Sequence, residues 1–277
     1  MSAKIAFVFP GQGSQSIGML AELGAQHAVV TNTFAEASEV LGYDLWELVQ
    51  LDEHNQLSQT HITQPALVAA SVSLWRLWLQ QGGATPILLA GHSLGEYSAL
   101  VCSGALDFAD AIRLVEARGR FMQVAVPSGE GAMAAIIGLD NDVVAGVCKA
   151  SAEDQVVVPV NYNAPGQVVI AGSKPAVERA MVACKESGAR AVMPLPVSVP
   201  SHCELMLPAA EQLRVLLEST KVVMPTIPVV QNVDGKVAGS VNAIVSKLVT
   251  HLIEPVLWTQ CVAVSYTHLT LPTTAIV

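Results

Sequence analysis

Ile87-Leu88-Leu89-Ala90-Gly91-His92-Ser93-Leu94-Gly95-Glu96-Tyr97 is the stretch whose reading decides the fold. Its apolar start reads as a buried strand, and a helical pattern follows Gly-His-Ser-Leu-Gly at once. Strand, tight turn and helix in that order are the setting of a Gly-x-Ser-x-Gly nucleophile elbow. The serine stands on the turn, and the small flanking residues let backbone pass close to it. The helix that begins there points free N–H groups toward any negative charge forming beside the serine. Alone, the pentapeptide fits any serine hydrolase.

Upstream, residues 4–9 read as a short strand ending in the glycine-rich loop Pro10-Gly11-Gln12-Gly13-Ser14-Gln15. That loop has no Walker lysine and no dinucleotide spacing, so a nucleotide site is poorly supported. Helical patterns cover residues 33–41 and 45–49. A longer one covers 65–79, with Pro65 near its first turn and Leu67, Ala70, Leu74, Leu77 and Trp78 on its apolar face. Downstream, Gly104 breaks the elbow helix and Asp107 reads as the N-cap of a helix carrying Ala111, Leu114, Val115, Arg118 and Met122.

Then the grammar changes. Residues 132–139, 155–161, 167–171 and 189–195 read as strands, with helices at 141–150 and 174–187. The order βαββαβ is a ferredoxin-like unit. The expected fold is therefore α/β: a hydrolase-like, mostly parallel sheet flanked by helices, with an inserted ferredoxin-like subdomain. The large catalytic domain takes residues 1–127 and 197–264, and the insert takes 128–196. Within the large domain, 204–218 and 241–253 read as helices and 227–232 as a strand before the Asp234-Gly235 turn. Residues 265–277 are Thr-rich, show no clear period and read as an atypical tail.

Composition narrows the class. The chain has 277 residues, 52% hydrophobic and 13% charged, so its core is generous and its surface sparsely charged. A net charge of −9 argues against a nucleic-acid partner. No signal peptide or membrane span is evident, and a cytoplasmic location is expected. Five scattered cysteines lack metal spacing and read as reduced, buried thiols. Neither a metal nor a bound cofactor is expected.

An elbow serine needs a base within hydrogen-bond reach. Of the seven histidines, His202 lies far downstream in a loop between an extended segment and a helix, where such a partner arrives in this class of fold. His92, inside the elbow, points the wrong way for a base on its own neighbour and reads as a packing or loop-fixing residue. A triad carboxylate should lie between serine and histidine in the chain, yet Asp140, Asp142, Glu153 and Asp154 all fall in the insert. A Ser-His pair oriented by a non-carboxylate acceptor fits better. Arg118 lies on an apolar helix side; it either pairs with Glu116 or Asp110, or serves as a fork for a substrate carboxylate.

Six separated motifs carry a family resemblance: FPGQGSQ at 9–15, TQPA at 63–66, GHSLGEYSAL at 91–100, RGRFMQ at 118–123, NYNAPGQVVIAG at 161–172 and VPSHCELM at 199–206. Over about residues 3–264 the chain resembles the malonyl-CoA:acyl-carrier-protein transacylases of bacterial fatty-acid synthesis and the wider acyltransferase-domain family. The resemblance implies a ping-pong transfer of malonyl from the coenzyme A thioester to acyl carrier protein. Ser93 is then the nucleophile and His202 the base. The N–H groups of Gln12 and Leu94 form the oxyanion hole, Arg118 holds the malonyl carboxylate, and Gln64 lines the same pocket. The main-chain carbonyl of His251, where the family usually has glutamine, orients His202. Arg113, Arg120, Lys174, Lys185 and Arg190 are candidates for the carrier's docking surface. The alternatives are a serine esterase or thioesterase, which releases acyl groups to water, and an inactive carrier-binding relic.

Overall fold

The computed structural model describes residues 4–197 and 199–268. Strand β1 (Ala6–Phe9) leads through the Gln12 loop to helices α1 (Ala21–Gln26), α2 (Ala28–Leu41), α3 (Leu45–Leu51) and α4 (Thr60–Gln80). The elbow strand β2 (Leu88–Gly91) then passes into α5 (Gly95–Cys102) and α6 (Phe108–Ala125). Residues 131–194 alternate as β3 (Gly131–Ile137), α7 (Asn141–Ala152), β4 (Val157–Ala164), β5 (Gln167–Ser173), α8 (Lys174–Glu186) and β6 (Ala191–Pro194). A 3₁₀ turn at Glu204–Met206 runs into α9 (Leu207–Glu218), followed by β7 (Val229–Gln231), β8 (Lys236–Val237), α10 (Val241–Thr250) and α11 (Trp258–His268).

β2 is buried along its whole length between two parallel neighbours, which is why its sequence is continuously apolar. β1 pairs on one side, with Ala6 opposite Leu88 and Phe9 opposite Gly91, and β7 on the other, with Ala90 opposite Val230. This register brings the C-terminal ends of β1 and β2 level, so the Gln12 loop meets the Ser93 turn. β8 adds an antiparallel edge.

The second sheet has the order β4-β5-β3-β6, and every pairing is antiparallel. Its alternation is clean. Ala134 and Ile136 of β3 pack with Val144 and Val177 of the two helices, whereas Met133 and Ala135 face the other way, with Cys203. Irregularities between Pro159 and Asn161, and between Tyr162 and Ala164, interrupt β4 against β5. They leave Val160 and Asn163 out of the ladder, while Asn161 still pairs with Val169. The segment just before α11 links the two sheets: Tyr162 donates to the Val256 carbonyl at 3.0 Å, the Val256 N–H donates to Val160 at 2.8 Å, and the Leu257 N–H donates to the Asn232 carbonyl after β7 at 2.9 Å.

Several expected elements have different bounds. The helix expected from residue 65 begins at Thr60, and Pro65 sits inside it, where it leaves a helical carbonyl without its usual donor. Its expected one-sided apolar face is also corrected. The helix is buried almost all round from Ile62 to Val72 because α2, α5 and α6 surround it, while Leu74 is 42% exposed. The Asn-Ala-Pro-Gly turn is shorter than expected, since β4 continues to Ala164. The region from residue 265 is not aperiodic at its start: α11 runs on to His268, and the buried Ser265 hydroxyl donates to the Cys261 carbonyl at 2.8 Å. Residues 269–277 lie outside the described residues. Asp107 caps α6 as expected, accepting from Ala109 and Asp110. All five cysteines are buried and unpaired with one another.

Gly91 cannot be larger. A Cβ there would lie 1.9 Å from the Gly95 backbone. Gly91→Ala is expected to cost about 3 kcal/mol or more through overpacking between strand and helix. Urea denaturation measures it; an unchanged midpoint would show that the elbow can relax.

Candidate active site

The turn between β2 and α5 holds Ser93 at φ 50°, in the left-handed region that a side-chain-bearing residue enters at a cost. Asn232, just after β7, clamps it. Its Oδ1 accepts from the Ser93 N–H at 2.7 Å, and its Nδ2 donates to the Gly91 carbonyl at 2.7 Å. The Asn232 N–H in turn donates to Glu96 at 2.8 Å, and the Gln231 amide donates to the same carboxylate at 3.1 Å. Glu96 is fully buried, and burial pushes its pKa up to about 7 against these hydrogen bonds.

Ser93 Oγ lies 2.8 Å from His202 Nε2. The other ring nitrogen, Nδ1, lies 2.6 Å from the main-chain carbonyl of His251. A carbonyl only accepts, so the proton sits on Nδ1, and Nε2 presents its lone pair to the serine hydroxyl. His202 is buried and also has positive φ, at 65°. Desolvation first, then the Arg118 cation, lowers its pKa to about 3, which keeps the resting imidazole neutral. Asp140, Asp142, Glu153 and Asp154 are all exposed, and none lines the cleft.

The cleft has a volume of about 850 Å³. Gln12, Ser93, Leu94, Arg118 and His202 line it together, with Asn161 and Met133 of the second sheet on the opposite wall. Among the described residues, neither the Gln12 nor the Leu94 N–H has an acceptor, so both are free beside Ser93. Arg118 is only 2% exposed. Neither surface pairing considered for it occurs: Glu116 takes Arg120 and Asp110 takes Arg113. Instead Nη1 donates to Gln64 at 2.9 Å, the guanidinium stands 5.6 Å above the Tyr97 ring, and Nη2 has no partner among the described residues. Gln64 does not line the cleft; it is fully buried behind Arg118.

His92 makes both a polar and a packing contact with the segments beside the elbow. Its Nε2 reaches Asn163 Oδ1 at 2.8 Å, and its ring meets Trp258 edge-on at 5.4 Å. Sequence reasoning missed Asn232, Gln231, Glu96 and Asn163. A carboxylate within an otherwise apolar elbow helix was the one available signal for Glu96. Nothing local marked Asn232, which reaches Ser93 across 139 positions of chain.

The sequence profile described as acyl transferase domain matches residues 6–263. The chain belongs to this family. The malonyl CoA-acyl carrier protein transacylase of Salmonella typhimurium is 61% identical over 259 residues, covering 94% of this acyl transferase and 84% of the relative. The Bacillus subtilis protein of the same name is 45% identical, covering 92% and 80%. An acyl carrier protein S-malonyltransferase from Vibrio cholerae superimposes with a TM-score of 0.93 at 58% identity, covering 96% of this chain and 87% of the other. A malonyl-transacylase solved with a type II PKS acyl-carrier protein gives 0.95 at 58% identity, covering 96% and 86%.

Buried histidines are expected to make the acyl transferase acid-sensitive. His92, His202 and His251 all have lowered pKa values, chiefly through desolvation. Below their ordinary value of 6.5 the unfolded chain therefore binds more protons than the fold, and stability falls as pH drops. Glu96, raised to about 7 from 4.5, acts in the opposite sense over that range but is one group against three. The urea midpoint is expected to be lower at about pH 5 than at about pH 7.5. The reverse order would mean that the histidines are charged in the fold.

Proposed function

We propose that this acyl transferase moves a malonyl group from coenzyme A to the phosphopantetheine thiol of acyl carrier protein, through an ester on Ser93. His202 Nε2 takes the Oγ proton as Oγ attacks the thioester carbonyl. The oxyanion accepts from the Gln12 and Leu94 N–H groups, and the departing coenzyme A thiolate takes the proton from His202. In the second half, the carrier thiol gives its proton to His202 and attacks the ester carbonyl. Ser93 Oγ leaves and recovers the proton. Coenzyme A enters as substrate, and no resident cofactor takes part in these steps.

Arg118 is the observation that carries the choice of acyl group. A buried guanidinium with a free Nη2, in the same cleft as the serine–histidine pair, is an incomplete ion pair. The malonyl carboxylate completes it, and Gln64 holds the guanidinium from behind. The names of the relatives support the same substrate and the same carrier. Residues 1–127 with 197–264 serve as a hydrolase-like catalytic domain, and 128–196 as a ferredoxin-like insert forming one wall of the cleft. Lys174 lines the cleft, while Lys185 and Arg190 stand exposed on the same segment. These three suit an acidic carrier better than Arg113 and Arg120, which are already paired along α6.

Exposure to malonyl-CoA followed by intact-mass measurement should add one malonyl group to the wild type and none to Ser93→Ala. Labelling of that variant would remove Ser93 from the mechanism. Arg118→Ala is expected to reduce kcat/KM for malonyl-CoA by about 10- to 100-fold, the loss of a charge-assisted hydrogen-bond pair, while leaving acetyl-CoA unaffected or improved. Equal losses for both substrates would refute the carboxylate clamp.

A further inference from the structure

Glu96 is the single acidic side chain buried in the fold among the described residues, and it lies beneath the nucleophile turn. His251 stands beside it, equally buried, with Nδ1 3.8 Å from Glu96 Oε2. Neither ring nitrogen of His251 has a hydrogen-bond partner among the described residues. The same ring stacks on His202, with centroids 4.7 Å apart and planes 29° from parallel. His251 therefore meets His202 twice, once through its carbonyl and once through its ring.

Burial keeps His251 neutral, so its ring carries one N–H. An N–H on Nε2 would have no acceptor, whereas one on Nδ1 faces a carboxylate. In a dry interior the second arrangement is favoured. A second constraint comes from the reaction. Taking the Ser93 proton makes His202 a cation in a cleft that already contains the Arg118 cation, and among the described residues no carboxylate bonds His202. The charges facing Glu96 from elsewhere are positive: Arg118 from α6 and Lys247 from α10, the latter already paired with Asp234 at 2.9 Å. Gln231 and Asn232 at the end of β7 contribute only neutral donors. Cys261 of α11 stays a thiol, its pKa pushed up to about 12 by burial.

We propose that Glu96 and the His251 side chain are a positioning pair for His202: the carboxylate holds His251 as its Nδ1–H tautomer, and its negative charge, acting across the stacked rings, stabilises the His202 imidazolium. The inference rests on the seryl-ester reading above. No proton leaves Glu96 or His251. The proton taken from Ser93 stays on His202 Nε2 until the leaving thiolate receives it, and His202 Nδ1–H stays on the His251 carbonyl. Glu96 thus supplies, at one remove, the negative charge that a triad aspartate supplies by direct contact.

Single-turnover labelling of Ser93 with malonyl-CoA in the wild type, His251→Leu and His251→Gln tests the pair, since all three keep the main-chain carbonyl. His251→Leu is expected to slow acylation by about 10-fold or more, with the substrate's dissociation constant unchanged. Wild-type acylation is expected to rise as Glu96 ionises near pH 7, and His251→Leu is expected to lose that rise. His251→Gln, whose amide N–H can face the carboxylate, should recover most of both. Wild-type rate and pH profile in His251→Leu would overturn the proposal. Nitrogen-15 NMR of the wild-type histidine side chains decides it without any variant: Nδ1–H on His251 is expected, and Nε2–H contradicts it. A wild type that forms no ester at all would instead refute the seryl-ester reading, while the NMR result on His251 would stand.

Discussion

Ser93 stays in a left-handed backbone conformation only because its surroundings leave no other. Such a conformation costs roughly 1–3 kcal/mol in a residue with a side chain. Three features hold it. β2 lies between two parallel strands; Gly91 lets β2 approach the start of α5, and Gly95 lets α5 approach the end of β1, more closely than any Cβ would permit; and Asn232 bonds both the Ser93 N–H and the Gly91 carbonyl. The consequence is chemical. With its N–H occupied by Asn232, Ser93 presents Oγ to His202, while Gln12 and Leu94, whose N–H groups have no acceptor among the described residues, line the same cleft.

Around that turn the fold separates charge in an uncommon way. The positive end, Arg118, lines the cleft, its buried Nη2 without a partner among the described residues; the negative end, Glu96, is buried behind the turn and hydrogen-bonded. His202 lies between them, neutral at rest and oriented by a carbonyl. In the proposed reaction the Arg118 cation favours an acyl group bringing its own carboxylate over an uncharged one. Orientation by a carbonyl leaves the imidazolium less stabilised than a direct carboxylate contact would, and in the proposed reaction a carrier docked over the cleft would keep water from the ester.

The parts of this arrangement differ in how far the sequence revealed them. Short-range features were readable because they obey local rules: the elbow glycines, the Asp107 cap, and the alternation of β3, whose two faces meet different partners. His202 and Arg118 were readable as residues but not as a geometry. The sequence could not distinguish a guanidinium paired with Glu116 from one buried against Gln64 and Tyr97. The bounds and faces of α4 were misread because a helix buried on nearly every side carries little amphipathic signal. Asn232 and Glu96 were not legible, since their importance arises only when β7 aligns beside β2 and brings distant positions into hydrogen-bond range.

Transfer rather than hydrolysis is the central claim, and the lifetime of the ester measures it most directly. Malonyl-Ser93 would be formed with labelled malonyl-CoA, freed of coenzyme A, and followed in buffer with and without carrier protein bearing its phosphopantetheine thiol. The ester should persist in buffer, and the label should move to the carrier as soon as it is added. Rapid release of free malonate in buffer, with no acceleration by the carrier, would contradict it.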